Sequence, residues 1–482
     1  MLFNSVDFAV FLPVVFFIYW FLLNRNLQYQ NLFLTAASYF FYGYWDWRFL
    51  SLILISSLAD FTIGLLLKKQ FNFRVRKGLL FASVAINLGI LGFFKYYNFF
   101  LDNFVQAFSL FGSEIRASSL QIILPVGISF YTFQTLSYTI DVYRGQLKPT
   151  KDFIAFSAFV SFFPQLVAGP IERAKNLLPQ FYKKRHFDYA KAMDGSQQII
   201  WGLFKKMVIA DNCAVYANMI FENSDQYSSF SLLLGALFFT FQIYGDFSGY
   251  SDIAIGTARL FGFDLMKNFA YPYFSRDIAE FWRRWHISLS TWFRDYLYIP
   301  LGGSRGGKWM NIRNVFIIFI VSGFWHGANW TFIVWGALNA IYFLPLMLSN
   351  ANRNHIEVVA KDKLFPSLRE VLFMGITFAL TVLAWIFFRA ENLGHAFSYL
   401  GRLFSAGNSG LRFNIFMDNY QVLFLFTFIA IMLFMEWMHR DKEYGLQLET
   451  PSPAKVWAVN LSIFSLTLIF EGATADFIYF QF

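Results

Sequence analysis

The chain has 482 residues, of which 57% are hydrophobic, 22% aromatic and 14% charged. This composition is more apolar and less charged than that of ordinary soluble domains, so it excludes a soluble globular protein and predicts a polytopic membrane protein. Basic residues, which give a net charge of +9, are concentrated at 68–77, 183–185 and 276–313, and this indicates a cytoplasmic face rather than a nucleic-acid-binding surface. The single cysteine, Cys213, excludes an internal disulfide and a cysteine metal cluster.

Apolar runs of the ~20 residues that a bilayer core requires recur along the whole chain. They predict an all-α fold with roughly ten to twelve transmembrane helices, supplemented by interfacial and re-entrant helices. No charged interruption is long enough for a separate soluble core, so we expect one integral membrane domain, with N-terminal helices in 1–120, a core in 121–350 and C-terminal helices in 351–482. The runs lie near residues 7–24, 30–45, 48–67, 79–100, 121–141, 195–215, 228–260, 312–348, 368–388, 420–438 and 455–471.

The basic loop at residues 68–78 predicts the orientation of the first helices. Its lysines and arginines place the loop in the cytoplasm by the positive-inside rule. Because three apolar runs precede the loop, the N-terminus is expected on the extracytoplasmic side.

Two prolines, Pro164 and Pro170, interrupt the apolar sequence at 162–171. Proline removes a backbone donor and breaks a helix. In a membrane, such irregular backbone is tolerated only where protein or a water-filled cavity satisfies the freed groups. A broken or re-entrant helix is therefore expected here.

Polar residues and glycines lie within the apolar run at 228–260. Intramembrane carboxylates usually face a cavity or pair with a basic group. The glycines are equally typical of a close helix crossing in which polar groups bond across helices. Both interpretations stay open. The polar residues are Gln242, Asp246, Ser248, Ser251 and Asp252, and the glycines are Gly245, Gly249 and Gly256.

The segment 271–307 combines aromatic and basic residues at helical spacing. An apolar face that includes Trp285 alternates with a basic face that includes Arg284, which predicts an amphipathic helix near the cytoplasmic boundary. His286 within it is either an ordinary interfacial residue or part of a cytoplasmic approach to His326.

The stretch 323–330, Gly-Phe-Trp-His-Gly-Ala-Asn-Trp, places His326 between two apolar runs. An ionisable side chain at such depth is costly and usually functional, although a structural histidine bonded to a neighbouring helix is the alternative. Among Phe324, Trp325 and Trp330 the ring should stay neutral, which is the state in which a general base accepts a hydroxyl proton. No carboxylate or cysteine lies at ligand spacing, so a metal site is disfavoured.

Four motifs occur in the order Leu-Val-Ala-Gly-Pro-Ile at 166–171, Tyr-Gly-Asp-Phe-Ser-Gly-Tyr-Ser-Asp-Ile-Ala at 244–254, Phe-Trp-Arg-Arg-Trp-His-Ile-Ser-Leu-Ser at 281–290 and Gly-Phe-Trp-His-Gly at 323–327. Together with Tyr-Leu-Tyr-Ile-Pro-Leu-Gly-Gly at 296–303, they resemble the bacterial branch of the membrane-bound O-acyltransferase family. The likeness is strongest to its alginate and peptidoglycan O-acetyltransferase type. It covers residues 1–350 and is weaker afterwards, where it depends on 385–389 and 477–482.

The resemblance implies a multi-helix fold around a tunnel through a bacterial inner membrane. It makes His326 the essential histidine of the family and His286 the second histidine, on the cytoplasmic side. It also implies that an acetyl group passes from a cytoplasmic thioester donor to a cell-envelope polysaccharide or exopolysaccharide. The implied partner is a separate periplasmic or extracellular acyltransferase of the SGNH-hydrolase type, and no bound cofactor or metal is expected.

Candidates for donor binding follow from charge and position. Acetyl-coenzyme A carries phosphates that Arg283, Arg284 and Arg294 suit, although an acidic acyl-carrier protein would fit the same surface. The other candidates for substrate or donor contacts are Trp325, Asn329 and Asp246.

Three other functions remain open from the sequence. Transfer of D-alanine from a carrier protein to teichoic acid is the activity of a related branch of the family. A proton-coupled transporter would use Asp246, Asp252 and the two histidines as a relay. A non-catalytic scaffold would only hold the extracytoplasmic partner.

Overall fold

The structure, a computed structural model, describes residues 1–110, 119–167, 169–405, 420–448, 453–473, 475 and 477–480. Within these ranges the regular structure is helical and no residue lies in a β-strand, which confirms the all-α prediction. By length and hydropathy, six helical regions of the described chain are able to cross a membrane. They are Leu27–Lys69, Phe73–Leu110, Ser229–Leu260, Trp330–Leu348, Leu368–Arg389 and Gln421–Met438, and two shorter apolar helices are Val6–Leu22 and Ala454–Ile469.

Two of these regions are longer than one crossing requires. Leu27–Lys69 has 43 residues and Phe73–Leu110 has 38, whereas a span needs ~20. Each is interrupted by a short turn of different helix type, at Trp47–Phe49 and at Gly92–Tyr96. The total of roughly ten to twelve crossings stays a prediction.

Contacts between residues divide the chain into two compact units. The first comprises Met1–Ala192 with Thr257–Met266, and the second comprises Met193–Gly256 with Lys267–Phe482. The single domain with parts at 1–120, 121–350 and 351–482 stays a prediction.

Asparagine caps begin two of the long helices in the first unit. The side-chain oxygen of Asn26 accepts a hydrogen bond from the amide of Gln28 at 2.9 Å, and Asn72 accepts one from Arg74 at 2.9 Å. Such caps satisfy amides that have no partner within the helix. The α-helices are Val6–Phe17, Leu27–Asp46, Leu50–Lys69, Phe73–Leu91, Tyr97–Leu110, Ile128–Tyr143, Phe153–Ser161, Phe163–Leu166 and Ala174–Leu177.

The expected break at the two prolines is present. Helix Phe153–Ser161 is followed by the single turn Phe163–Leu166, and residues 169–173 are not helical. The segment is buried, so protein surrounds the irregular backbone. Ala168 of this motif lies outside the described residues. The broken helix is confirmed.

Helices of the second unit carry three of the four motifs. Two of its helices, Tyr189–Leu203 and Ser229–Leu260, extend across the boundaries of the unit. The others are Asp211–Glu222, Ile278–Arg284, Ile287–Phe293, Lys308–His326, Trp330–Leu348, Leu368–Arg389, Leu393–Leu403, Tyr420–Met438 and Pro453–Ile469.

Candidate active site

His326 lies at the turn of a helical hairpin. It is the last residue of helix Lys308–His326, and helix Trp330–Leu348 follows after a short turn. Asn329 begins the second helix, because its side-chain oxygen accepts a hydrogen bond from the amide of Thr331 at 3.0 Å. The structure therefore places Asn329, a candidate for substrate contact, at a helix cap.

Glycines let the two helices of this hairpin approach closely. A Cβ atom on Gly323 would lie 2.2 Å from the carbonyl oxygen of Phe332, and one on Gly336 would lie 2.2 Å from that of Phe319. Neither position has room for a side chain, which is typical of close helix contacts in membranes. This packing fixes the backbone that carries His326.

Aromatic rings surround His326, which is only 3% exposed. Trp330, which was expected to help enclose it, is instead 51% exposed. Two of the enclosing rings, Phe388 and Tyr479, come from segments distant in the sequence. The distances between ring centroids are 5.0 Å to Trp325, 5.1 Å to Trp335, 5.4 Å to Phe388 and 5.5 Å to Tyr479.

His286 lies between two short helices, so the prediction of one continuous amphipathic helix is wrong. Ile278–Arg284 and Ile287–Phe293 are separate, and His286 between them has a left-handed backbone with φ 44°. This conformation costs about 1–3 kcal/mol in a residue with a side chain, and residues that adopt it cluster at functional sites. The ring is fully buried, which excludes an ordinary interfacial role.

Asn268 determines which nitrogen of the His286 ring carries the proton. The amide oxygen of Asn268 lies 3.0 Å from His286 Nδ1 and accepts hydrogen bonds from the hydroxyl of Ser288 at 2.9 Å and from its backbone N–H at 3.4 Å. The backbone N–H of Ser288 can only donate, so the Asn268 atom that it contacts is the amide oxygen. The same oxygen faces Nδ1 of His286, and Nδ1 therefore carries the proton. Burial lowers the pKa of His286 to about 3, so the ring is neutral and Nε2 keeps its lone pair.

Two aromatic residues contact both histidines. The ring centroid of Trp325 lies 6.1 Å from that of His286 and 5.0 Å from that of His326. The centroid of Tyr479 lies 6.4 Å from His286 and 5.5 Å from His326. Burial raises the pKa of Tyr479 above its ordinary value, so the phenol keeps its proton. The structure thus brings both predicted histidines into one aromatic pocket with a hydroxyl group.

Lys206 forms a buried ion triad with two aspartates. Its ammonium lies 2.7 Å from Asp211 and 2.8 Å from Asp246. Lys206 also donates to the carbonyl of Ala475 at 3.0 Å, and Asp246 accepts from the amide of Ile478 at 2.6 Å. Because the tyrosine that contacts both histidines follows Ile478 directly, the triad holds one wall of the pocket.

The polar run within 228–260 pairs with basic residues and also packs closely. Lys205 lies 2.6 Å from Asp252, and both side chains are buried. A Cβ atom on Gly249 would lie 2.7 Å from the carbonyl oxygen of Gly202. Pairing with a basic group and a close helix crossing are therefore both confirmed.

The three arginines predicted to bind the donor have different surroundings. Arg283 donates to two backbone carbonyls at 2.8 and 2.7 Å, and Arg284 pairs with Glu280 at 2.8 Å. Arg294 pairs with Asp295 at 2.7 Å, its side chain is 57% exposed, and it lines a cavity of about 540 Å³ together with Arg353. Arg283 is also exposed, but among the three it is Arg294 that lines this cavity.

Cys213 is an unsuitable nucleophile in its surroundings. Its side chain is completely buried. The thiolate, which is the reactive form, is therefore disfavoured. In the part of the chain that the structure describes, no three His, Cys, Asp or Glu side chains come together as metal ligands.

Comparisons with known proteins agree with these motifs. The sequence model described as MBOAT, membrane-bound O-acyltransferase family, matches residues 147–385. A protein named probable alginate O-acetylase AlgI, from Pseudomonas syringae pv. tomato, is 39% identical over 458 residues, which cover 94% of this chain and 85% of that protein. The chain belongs to the membrane-bound O-acyltransferase family.

Other similar proteins extend the comparison. Peptidoglycan O-acetyltransferase of Helicobacter pylori is 38% identical over 430 residues, 83% of this chain and 79% of that protein. Teichoic acid D-alanyltransferase of Streptococcus thermophilus is 30% identical over 289 residues, 55% of this chain and 68% of that protein. As a membrane-bound O-acyltransferase, the chain is a multi-pass membrane enzyme. The transporter and the non-catalytic scaffold are thereby set aside.

Proposed function

We propose that this acyltransferase moves an acetyl group from a cytoplasmic thioester donor across the membrane for O-acetylation of a cell-envelope polysaccharide or exopolysaccharide. The observation that carries the proposal is the buried pocket in which His326 and His286 share the rings of Trp325 and Tyr479. The acetyl group and the polysaccharide class, alginate or peptidoglycan, come from the names of relatives that are 39% and 38% identical.

His326 is the general base in this mechanism. It takes the proton of an attacking hydroxyl group while the hydroxyl oxygen bonds to the thioester carbon. The carbon–sulfur bond then breaks, and the proton passes from the imidazolium to the departing thiolate. The aromatic rings around His326 exclude water, which would otherwise hydrolyse the thioester.

His286 serves the donor side of the pocket. Its Nδ1–H is bonded to Asn268, so its Nε2 is available as an acceptor. Coenzyme A and acyl-carrier proteins both present amide N–H groups near the thioester, and such an N–H would donate to Nε2. In this assignment His286 positions the donor, and His326 transfers the proton.

Donor phosphates are assigned to the cavity at Arg294. Arg294 and Arg353 line it together, and its volume of about 540 Å³ accommodates a nucleotide-sized group. Arg283 and Arg284, which bond to a backbone carbonyl and to Glu280, do not line this cavity.

The remaining assignments concern the two sides of the membrane. The distribution of basic segments supports a donor side in the cytoplasm of a bacterial cell, with the N-terminus outside. The acetyl group would leave on the opposite side, to an extracytoplasmic acyltransferase of the SGNH-hydrolase type that modifies the polysaccharide.

The donor is tested with membranes that contain the full chain. They are supplied with acetyl-coenzyme A labelled in the acetyl group, with an acetylated carrier protein, or with a D-alanylated carrier protein. We expect labelled ester only from an acetyl donor. Transfer of D-alanine in place of acetyl would contradict the proposal and favour the teichoic acid branch of the family.

Tyr479→Phe should lower acetyl transfer by ~10²-fold, the loss typical of one removed hydrogen-bonding group at a reacting centre. Phenylalanine keeps the ring that packs on both histidines and removes only the hydroxyl. The rate is measured with labelled acetyl donor, and Tyr189→Phe, at a side chain that is 63% exposed, is the control. A wild-type rate for Tyr479→Phe would show that the hydroxyl group takes no part in transfer and that Tyr479 only packs against the histidines.

A further inference from the structure

A basic and aromatic surface cavity occurs in the first unit, and it includes no residue that the proposed mechanism uses. Its volume is about 520 Å³, and no aspartate or glutamate among the described residues lines it. Among its lining residues are the rings of Phe16, Trp20 and Phe187 and the cations Arg25, Lys184 and Arg185.

Arg185 is the buried cation of this cavity. It is 7% exposed, its Nη2 donates to the side-chain oxygen of Asn31 at 2.7 Å, and the guanidinium lies over the rings of Tyr19 and Phe263 at 5.6 and 4.8 Å. Its Nε has no hydrogen-bond partner among the described residues. All these partners are neutral, and a buried charge without an opposite charge is costly. An anion in the cavity would remove that cost.

Arg25 and Lys184 add two exposed positive charges at the same place. Neither forms an ion pair or a hydrogen bond with any residue that the structure describes. Three cations without a carboxylate suit a ligand with several anionic oxygens, such as a phosphate group.

The helix that leads into the cavity carries a stripe of exposed apolar side chains. The spacing of three or four residues puts them on one helix face. Phe21 belongs both to this stripe and to the lining of the cavity. Free phosphate would make no contact with such an apolar stripe, whereas the acyl chains of a lipid would pack along it. The exposed fractions are 81% for Val6, 62% for Val10, 52% for Val14, 54% for Phe17 and 66% for Phe21.

We propose that this cavity binds an anionic phospholipid. Arg25, Lys184 and Arg185 hold the phosphate of the headgroup, and the acyl chains lie along the apolar stripe that ends at Phe21. The bound phosphate neutralises the buried guanidinium, so the lipid stabilises the first unit by mass action.

Lipid retention by the purified full chain tests this site. The chain in detergent is incubated with equal amounts of phosphatidylglycerol and phosphatidylcholine, and native mass spectrometry counts the lipids retained. We expect preferential retention of one phosphatidylglycerol, weakened roughly fivefold by Arg25→Gln and by Lys184→Gln, because each removes one basic contact. Lys183→Gln is the matched control, since Lys183 is exposed on the same loop and does not line the cavity.

Several outcomes would overturn the proposal. One is equal retention of the two lipids by the wild type, and another is equal binding of phosphatidylglycerol by all three variants. Inorganic phosphate that displaces the lipid at equal concentration would make the cavity a site for free phosphate. Loss of binding to an acidic acyl-carrier protein, with lipid retention unchanged in Arg25→Gln and Lys184→Gln, would make it a docking site for protein.

Discussion

We expect His326→Ala to lower acyl transfer by about 10²–10⁴-fold, because the substitution removes the proposed general base. The measurement is the ester-linked acetate on the envelope polysaccharide of cells that carry the variant, divided by the amount of chain in their membranes. This normalisation separates a catalytic defect from a loss of protein.

His439→Ala is the matched control for this prediction. Its ring nitrogen Nδ1 lies 3.0 Å from the carbonyl oxygen of Met435, and it is not part of the aromatic pocket. We expect wild-type acetylation in this variant. Undiminished acetylation in His326→Ala would contradict the assignment of His326 as the base.

The largest effect on stability is expected from Lys206→Met, which should lower the free energy of unfolding by about 3–5 kcal/mol. The substitution leaves Asp211 and Asp246 buried near each other without their common cation. It also removes the hydrogen bond to Ala475 and loosens the segment beside the pocket. The midpoint of thermal unfolding in detergent measures the loss of stability, and acyl transfer measures the effect on the pocket.

Two variants sharpen that measurement. Lys361→Met removes an exposed lysine whose side chain is 57% accessible, so it should leave the midpoint unchanged. Adding Asp246→Asn to Lys206→Met removes one unpaired charge and should recover part of the loss. Equal midpoints for Lys206→Met and Lys361→Met would show that the triad does not stabilise the fold.

Motifs with a direct physical meaning could be predicted from the sequence. His326 stood out because ionisable side chains are rare in apolar runs. The prolines at 164 and 170 predicted the broken helix, and the glycines at 245 and 249 predicted the close helix crossing. In each case the residue type itself, within an apolar run, carries the signal, which is why the sequence was sufficient.

Features that depend on distant contacts could not be predicted. Tyr479 and Asn268 join the histidines only through the fold, and no pattern at either position indicates it. Lys206 lay in an apolar run and was not recognised as the partner of Asp246. The left-handed backbone of His286 has no sequence signal comparable to glycine, so the amphipathic pattern around it was mistaken for one helix.

The central claim is that the histidine pocket transfers an acetyl group from a cytoplasmic donor. The most direct test uses inverted membrane vesicles that contain the full chain, so that the cytoplasmic side faces the added donor. Labelled acetyl thioester is supplied outside, and labelled ester is measured after washing. We predict ester in vesicles with the wild type and with His439→Ala, and almost none with His326→Ala. Equal labelling of all three would contradict the account.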